Sequence, residues 1–304
     1  MRNDGKVIMQ HMIEDNAQLL KRLRDVEIIY TDLDGTMFGS RGALLVDGEG
    51  RPSTHTAKAL VEITRAGIPV VPTTGRSDFQ LIEIVRMCGL DDFIAETGAI
   101  ISWWTGINRE EKYVLPQWND ETLNGRTPFE VMQESGAAQL LMDRFAGQLE
   151  HHDPWHEPRL ATDVLRGRID LDEAQALLDT LDVAFEITEN GAITPKRHTL
   201  DDPVLGEDEQ IHAYHIVPAG VSKAAAIAED LKRRDLDPMR ALMIGDSMSD
   251  LQCAPSVGVT LMVENARLSP NVVSSIVDYD NAAFIAGKKG DGWVNMAELL
   301  LRSR

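Results

Sequence analysis

Cysteine is almost missing: the 304 residues contain only two, Cys88 and Cys253, far apart in the chain. That count offers neither a disulfide framework nor a zinc pattern, and it suits a reducing compartment. No apolar run approaches the ~20 residues needed to cross a bilayer. Met1 to Lys21 intersperse acids and polar residues among the apolar ones, unlike a signal peptide, so a cytoplasmic protein is expected. Positive charge is scarce as well. Against 49 Asp and Glu stand 30 Lys and Arg, a formal net charge of −19. This balance argues against nucleic acid or an anionic membrane as a partner. An anionic small molecule would need a bound cation and local Lys or Arg in order to approach.

What is present is an ordinary globular balance, 43% apolar and 26% charged, in a chain long enough for about two domains. One stretch stands out. Glu27-Ile28-Ile29-Tyr30-Thr31 is a short apolar run that ends in Asp32-Leu33-Asp34-Gly35-Thr36. It reads as a buried strand delivering two carboxylates to its C-terminal end, the edge where open α/β sheets bind ligands. By itself it could equally be a strand followed by an acidic turn.

Before it, residues 6–25 carry apolar positions at helical spacing, an N-terminal helical extension over 1–25. After it, Pro52-Ser53-Thr54 opens a helix that closes at Ala66-Gly67, and Ile68 to Pro72 reads as a second strand ending at Thr73-Thr74-Gly75-Arg76. A helix to Gly89, a third strand at Asp92 to Ala95, and a run from Ile100 to Trp104 follow. This alternation predicts a Rossmann-like parallel sheet with helices on both faces. From 107 to 212 the rhythm breaks. Helices over 128–149 and 172–181 and a strand over 184–188 suggest an inserted α+β cap domain. The core is then expected over 26–106 and 213–304, with strands at 213–217, 241–244 and 257–263 and a closing helix at 293–301.

Two further stretches invite attention. Glu150-His151-His152-Asp153-Pro154-Trp155-His156-Glu157 holds enough donors for a transition metal, but Pro154 breaks the spacing. The favoured reading is that this segment, or Trp103 to Trp118, shapes a pocket from the cap. Gly287 to Gly292 is glycine-rich without the order or helix onset of a phosphate-binding Walker loop, and reads as a surface loop near the site mouth.

Four signals stand in order at strand ends or helix starts: Asp32-Leu33-Asp34-Gly35-Thr36, Thr74-Gly75-Arg76, Gly220-Val221-Ser222-Lys223, and Gly245-Asp246-Ser247 with Asp250. Each alone could be a turn or a helix cap. Together they resemble the haloacid dehalogenase superfamily of phosphohydrolases, in the branch with a large α/β cap between the second and third motifs. The resemblance covers about 26–104 and 213–301. It implies a magnesium-dependent phosphatase in which Asp32 is the nucleophile and Asp34 the acid/base. Thr74 and Lys223 would hold the phosphoryl group, with Gly35, Thr36, Gly75, Arg76 and Asn265 as substrate or phosphate contacts. Mg2+ would be bound by Asp32, the Asp34 main-chain carbonyl and Asp246, with Asp250 in support. The expected partner is a small phosphorylated metabolite, a sugar phosphate or phosphoglycerate conjugate. A phosphomutase on the same fold and a non-catalytic binding protein are the alternatives. The chain departs from the family pattern at Ser249, where Asn is common, at Thr97, where Asn-Gly is usual, and at Glu264, where glycine is usual.

Overall fold

A computed structural model describes residues 11–193 and 211–304. Of the N-terminal helix expected over 6–25, residues 6–10 lie outside the described ones. The remainder is a short helix, Ala17–Arg22, flanked by 3-10 turns at Ile13–Asp15 and Leu23–Asp25. Asn16 breaks it, because its side chain accepts the Leu19 N–H and so caps a new helix. Ile13, Leu19 and Leu23 are fully buried in the main apolar cluster, so this segment packs as part of the core.

Strand β1, Ile28–Thr31, pairs in parallel with β2, Val70–Pro72, on one side. Its apolar side chains alternate: Ile28 and Tyr30 enter one buried cluster and Ile29 the other. Both faces are therefore covered, as a parallel strand requires. The expected third strand, β3 (Phe93–Ala95), touches this sheet through a single parallel bridge, Thr73 to Ile94. It pairs instead, antiparallel, with β4, Ile100–Thr105, which pairs in turn with β5, Asn108–Tyr113. Glu96, Thr97 and Gly98 all have positive φ and reverse the chain between β3 and β4. A hairpin partner thus replaces the parallel one.

The inserted region forms a second body. Strands β6 (Leu149–His151), β7 (Asp163–Gly167), β8 (Phe185–Ala192) and β9 (His212–Pro218) make an antiparallel sheet in the order β6-β7-β9-β8. Helices Pro128–Ser135, Ala137–Arg144 and Leu171–Leu178 cover it around Trp118, Met132, Leu141, Leu178 and Phe185. The single helix expected over 128–149 is two, because Gly136 sits in the left-handed region and ends the first. Residues 213–217, expected to resume the core, lie in β9 and pair with β7 and β8. The cap sheet therefore runs to Pro218.

After helix Lys223–Arg233 the chain adds β10 (Ala241–Gly245), β11 (Val259–Met262) and β12 (Ala282–Phe284), all parallel. The sheet order is β12-β11-β10-β1-β2, so the chain after β1 places β2 on one side of it and β10 on the other. The carboxyl end of β1 lies at the resulting crevice. Helix Gly290–Ser303 packs on helix His55–Arg65 on one face, and helix Lys223–Arg233 lies on the other. Gly287–Gly292 is thus partly a helix start, contrary to the loop expected there. Among the described residues no helix is long and apolar enough to cross a membrane.

Candidate active site

β1 ends where its ladder ends. The Asp32 N–H still donates to the Ile244 carbonyl, and then Leu33 to Phe38 fold into a tight turn with Gly35 at φ +87. A Cβ on Gly35 would collide with the Asp246 carboxylate, so the glycine permits these two segments to meet. Thr31 Oγ1 donates to the Asp32 carbonyl at 2.8 Å and accepts the Trp293 indole N–H at 3.1 Å, which fixes the strand end from behind.

Lys223 opens its helix, where the dipole disfavours a cation. Two carboxylates outweigh that preference. Its buried ammonium donates to Asp32 Oδ1 at 2.8 Å and to Asp250 Oδ1 at 2.7 Å. The helix start can come this close because Gly98 has no side chain; a Cβ there would collide with the Ser222 carbonyl. Asp250 is held firmly, its Oδ2 accepting the Asp246 N–H, the Ser247 N–H and the Ser247 hydroxyl at 3.0, 3.0 and 2.7 Å.

Carboxylate oxygens of Asp32, Asp246 and Asp250 lie within 4.8 Å of one another. Burial pushes the Asp32 carboxyl up to about 7; Lys223 opposes the rise and Asp250 adds to it. Burial raises Asp246 well above the carboxylate range, with Asp32 and Asp250 adding to the effect. Burial would lower the Lys223 ammonium, but Asp250 and Asp32 hold it above its usual range. Fully ionised, three carboxylates facing one ammonium leave two negative charges unmatched. An all-oxygen donor set with that excess fits a hard divalent cation such as magnesium. Both Asp250 oxygens are engaged by protein donors, which leaves Asp32 and Asp246 as the carboxylates able to hold it. The turn's backbone hydrogen bonds run to Leu33, Asp32 and Phe38 carbonyls, and among the described residues none ends on the Asp34 carbonyl.

Thr74 is buried and follows β2, one residue past Thr73, whose N–H bonds to the Thr31 carbonyl at the end of β1; Gly75 and Arg76 come after it. Arg76, expected to meet the substrate, grips both oxygens of Asp34 at 2.6 and 2.7 Å. Asn265, expected at the phosphate, turns its amide to the Gly35 carbonyl and Asp246 Oδ2 at 2.9 and 2.8 Å, while its oxygen accepts the Lys289 N–H. It therefore braces Asp246. Thr36 is fully buried and its hydroxyl has no partner among the described residues, so it does not line the crevice. Ser249 bonds to the Ser247 hydroxyl, and Glu264 pins the Gly287 N–H at 3.0 Å, which gives that departure from glycine a structural use.

The cap and the turn after β3 together contribute residues with no local sequence signal. Buried Glu96 and Arg159 lie 3.5 Å apart, and His215 bonds to Thr97 and Asn190 beside Gly75. Only a polar residue left unexplained at a strand end, as Glu96 is, could have drawn attention to them. The histidine-rich segment is not gathered as a metal centre: His151 and His156 stack at 4.5 Å, and among the described residues only the aspartate cluster brings three ligand groups together.

Burial lowers His152 from 6.5 to about 4, with Arg166 and Arg159 adding to the shift. Burial also lowers His215 well below the usual 6.5 of an imidazole, with Arg159 contributing. Below about pH 6.5 the unfolded chain binds protons that the folded one refuses, so stability falls as pH drops toward 4. Thermal melts across this window should show His152→Asn losing less stability than the wild type; parallel curves would refute the assignment.

Residues 29–117 match the sequence model of a family described as haloacid dehalogenase-like hydrolase. A phosphoglycolate phosphatase from Methanoculleus marisnigri is 25% identical over 244 residues, covering 79% of this chain and 85% of its own length. The phosphatase YwpJ of Bacillus subtilis is 21% identical over 290 residues, 84% of this chain and 95% of its own. A sucrose-phosphatase from Synechocystis sp. PCC6803, solved with sucrose and phosphate, superposes with a TM-score of 0.59 at 15% identity, over 92% of this chain and 98% of that one. At that identity the superposition speaks for the fold alone.

Proposed function

We propose that the chain is a haloacid dehalogenase-like phosphatase that hydrolyses a small phosphorylated metabolite with magnesium, through an aspartyl-phosphate. The observation that carries this reading is the buried Lys223 ammonium between Asp32 and Asp250, beside Asp246, at the carboxyl end of β1. A sugar phosphate or phosphoglycerate conjugate is the favoured substrate class. A relative named for phosphoglycolate supports it.

Lys223 holds one oxygen of Asp32, and the other attacks phosphorus as the ester P–O bond breaks. The Thr74 hydroxyl, the Gly75 N–H and the Lys223 ammonium take the phosphoryl oxygens. The leaving oxygen receives a proton from Asp34. Asp34 then accepts a proton from the water that attacks phosphorus, and the P–O bond to Asp32 breaks to release inorganic phosphate. Arg76 orients Asp34 by holding both of its oxygens, and must leave one of them for that oxygen to carry the proton. Magnesium, held by Asp32, the Asp34 carbonyl and Asp246, would supply positive charge that offsets the repulsion between nucleophile and phosphate.

Phosphate release from a panel of phosphorylated metabolites tests this reading. Chelation should lower the rate by about a hundredfold or more, and added magnesium should restore it. Turnover unaffected by chelation would remove the metal from the reaction, and silence across the panel with magnesium present would sink the phosphatase reading.

A further inference from the structure

The turn Thr74-Gly75-Arg76 has a donor on each of its three carbonyls. The Thr97 N–H takes the Thr74 carbonyl at 3.0 Å, and the Glu96 N–H takes the Arg76 carbonyl at 2.9 Å. The middle one, on Gly75, receives instead the guanidinium of Arg159, Nη2 at 2.7 Å, from the inserted cap. A peptide unit is planar, with its C=O and N–H antiparallel. Holding the Gly75 carbonyl therefore aims the Arg76 N–H, which points to Thr74 Oγ1 at 3.4 Å. With a lone pair of that oxygen so engaged, its hydrogen is left to turn elsewhere.

Arg159 is rigidly placed for this task. It is 5% exposed, and Nε donates to the Thr162 carbonyl and hydroxyl at 3.1 and 3.0 Å. Nη2 reaches the same hydroxyl at 2.8 Å, and Nη1 the Trp155 carbonyl at 3.3 Å. The loop carrying it is anchored in the core. Fully buried Glu96 accepts the N–H groups of Leu160, Ala161 and Thr162 at 2.9, 3.0 and 2.8 Å, and the Thr162 hydroxyl at 3.0 Å. Glu96 and Thr97 adopt left-handed backbone, unusual for residues with side chains, while presenting the two N–H groups that flank the Gly75 contact. If Arg159 served only to neutralise Glu96, it would have no need of the Gly75 carbonyl.

We propose that Arg159 is a positioning residue for phosphoryl binding, acting through the Gly75–Arg76 peptide on the Thr74 hydroxyl. The proposal rests on the reading that this turn receives the phosphoryl group. It makes the cap a structural part of the phosphate site in addition to its cover. A lysine at 159 would keep a charge beside Glu96, yet its single ammonium cannot span Thr162 and Gly75 as the planar fork does.

The test uses the full chain, with p-nitrophenyl phosphate as substrate and inorganic phosphate as product inhibitor. Arg159→Lys should stay folded by thermal melting while KM and the phosphate inhibition constant rise about tenfold or more, the loss of one charge-assisted hydrogen bond. In Arg159→Ala, tens of millimolar guanidinium ion should recover part of the lost phosphate affinity. Wild-type KM and phosphate inhibition in a folded Arg159→Lys, or an Arg159→Ala loss that guanidinium leaves untouched, would overturn the positioning role alone. A wild type inactive toward every phosphate monoester would overturn the phosphatase reading, and this proposal with it.

Discussion

Replacing Asp32 by asparagine should abolish phosphate release and leave the fold standing. The amide is a poor nucleophile, and removing a nucleophile that acts as a unit with its neighbours costs on the order of 10⁴-fold or more in turnover. Stability should move the other way. The asparagine oxygen can still accept from Lys223, which keeps its ion pair with Asp250 at 2.7 Å. One of three crowded carboxylates is gone, and Asp32 is a main contributor to the rise in the Asp246 carboxyl. The variant should therefore melt at or above the wild-type temperature when magnesium is absent. Turnover within tenfold of wild type would remove Asp32 from the nucleophile's place; a large fall in melting temperature would mean that its charge is structural.

Lys223→Met should lose both activity and stability. Methionine fills much of the lysine's volume but leaves Asp32 and Asp250, both buried, without their shared cation. Breaking a buried pair in this way costs about 3–5 kcal/mol. The deficit has a pH signature. With the ammonium gone the Asp32 carboxyl is raised further, so the folded variant holds a proton that the unfolded chain has released, and its stability declines as pH rises. The gap from wild type should be widest at and above the pH near 7 where wild-type Asp32 ionises, and should narrow in acid. Urea midpoints at several pH values measure it. Adding Asp32→Asn should recover part of the stability and none of the turnover, since it removes one of the two buried charges left without a cation while Asp250 keeps the three donors on its Oδ2. Equal midpoints for wild type and Lys223→Met would contradict the buried-bridge account.

Much of this arrangement could be read from residues alone. Apolar runs ending in Asp32, Thr74 and Asp246 mark strands and their carboxyl ends, and Lys223 against the dipole of its own helix marks a placement that local preference does not explain. Periodicity tells that a segment is a strand, but not which strand it joins. For that reason the alternation places β3 and β9 in the parallel sheet, whereas β3 turns back on β4 and β9 completes the cap sheet. Side-chain partners across long separations are equally silent. Nothing in Glu157-Pro158-Arg159 announces the Gly75 carbonyl, and nothing in Thr74-Gly75-Arg76 shows that the guanidinium turns to Asp34. Asn265, expected at the phosphate, turns its amide to Asp246, and sequence does not distinguish the two because one amide can serve a phosphate or a neighbouring carboxylate equally well.

The strand that carries Asp32 also has a consequence for the order in which the molecule is made. β1 leaves the ribosome early, yet its direct neighbour β10 and the Trp293 indole that anchors Thr31 come from late segments of the chain. Contacts of such long sequence separation form only after the intervening chain has been closed into a loop. During synthesis Asp32 is present long before Lys223, Asp246 and Trp293 exist to surround it. A ribosome-bound fragment ending before these segments holds Asp32 without its surroundings, and the cluster is assembled only when the late segments have emerged.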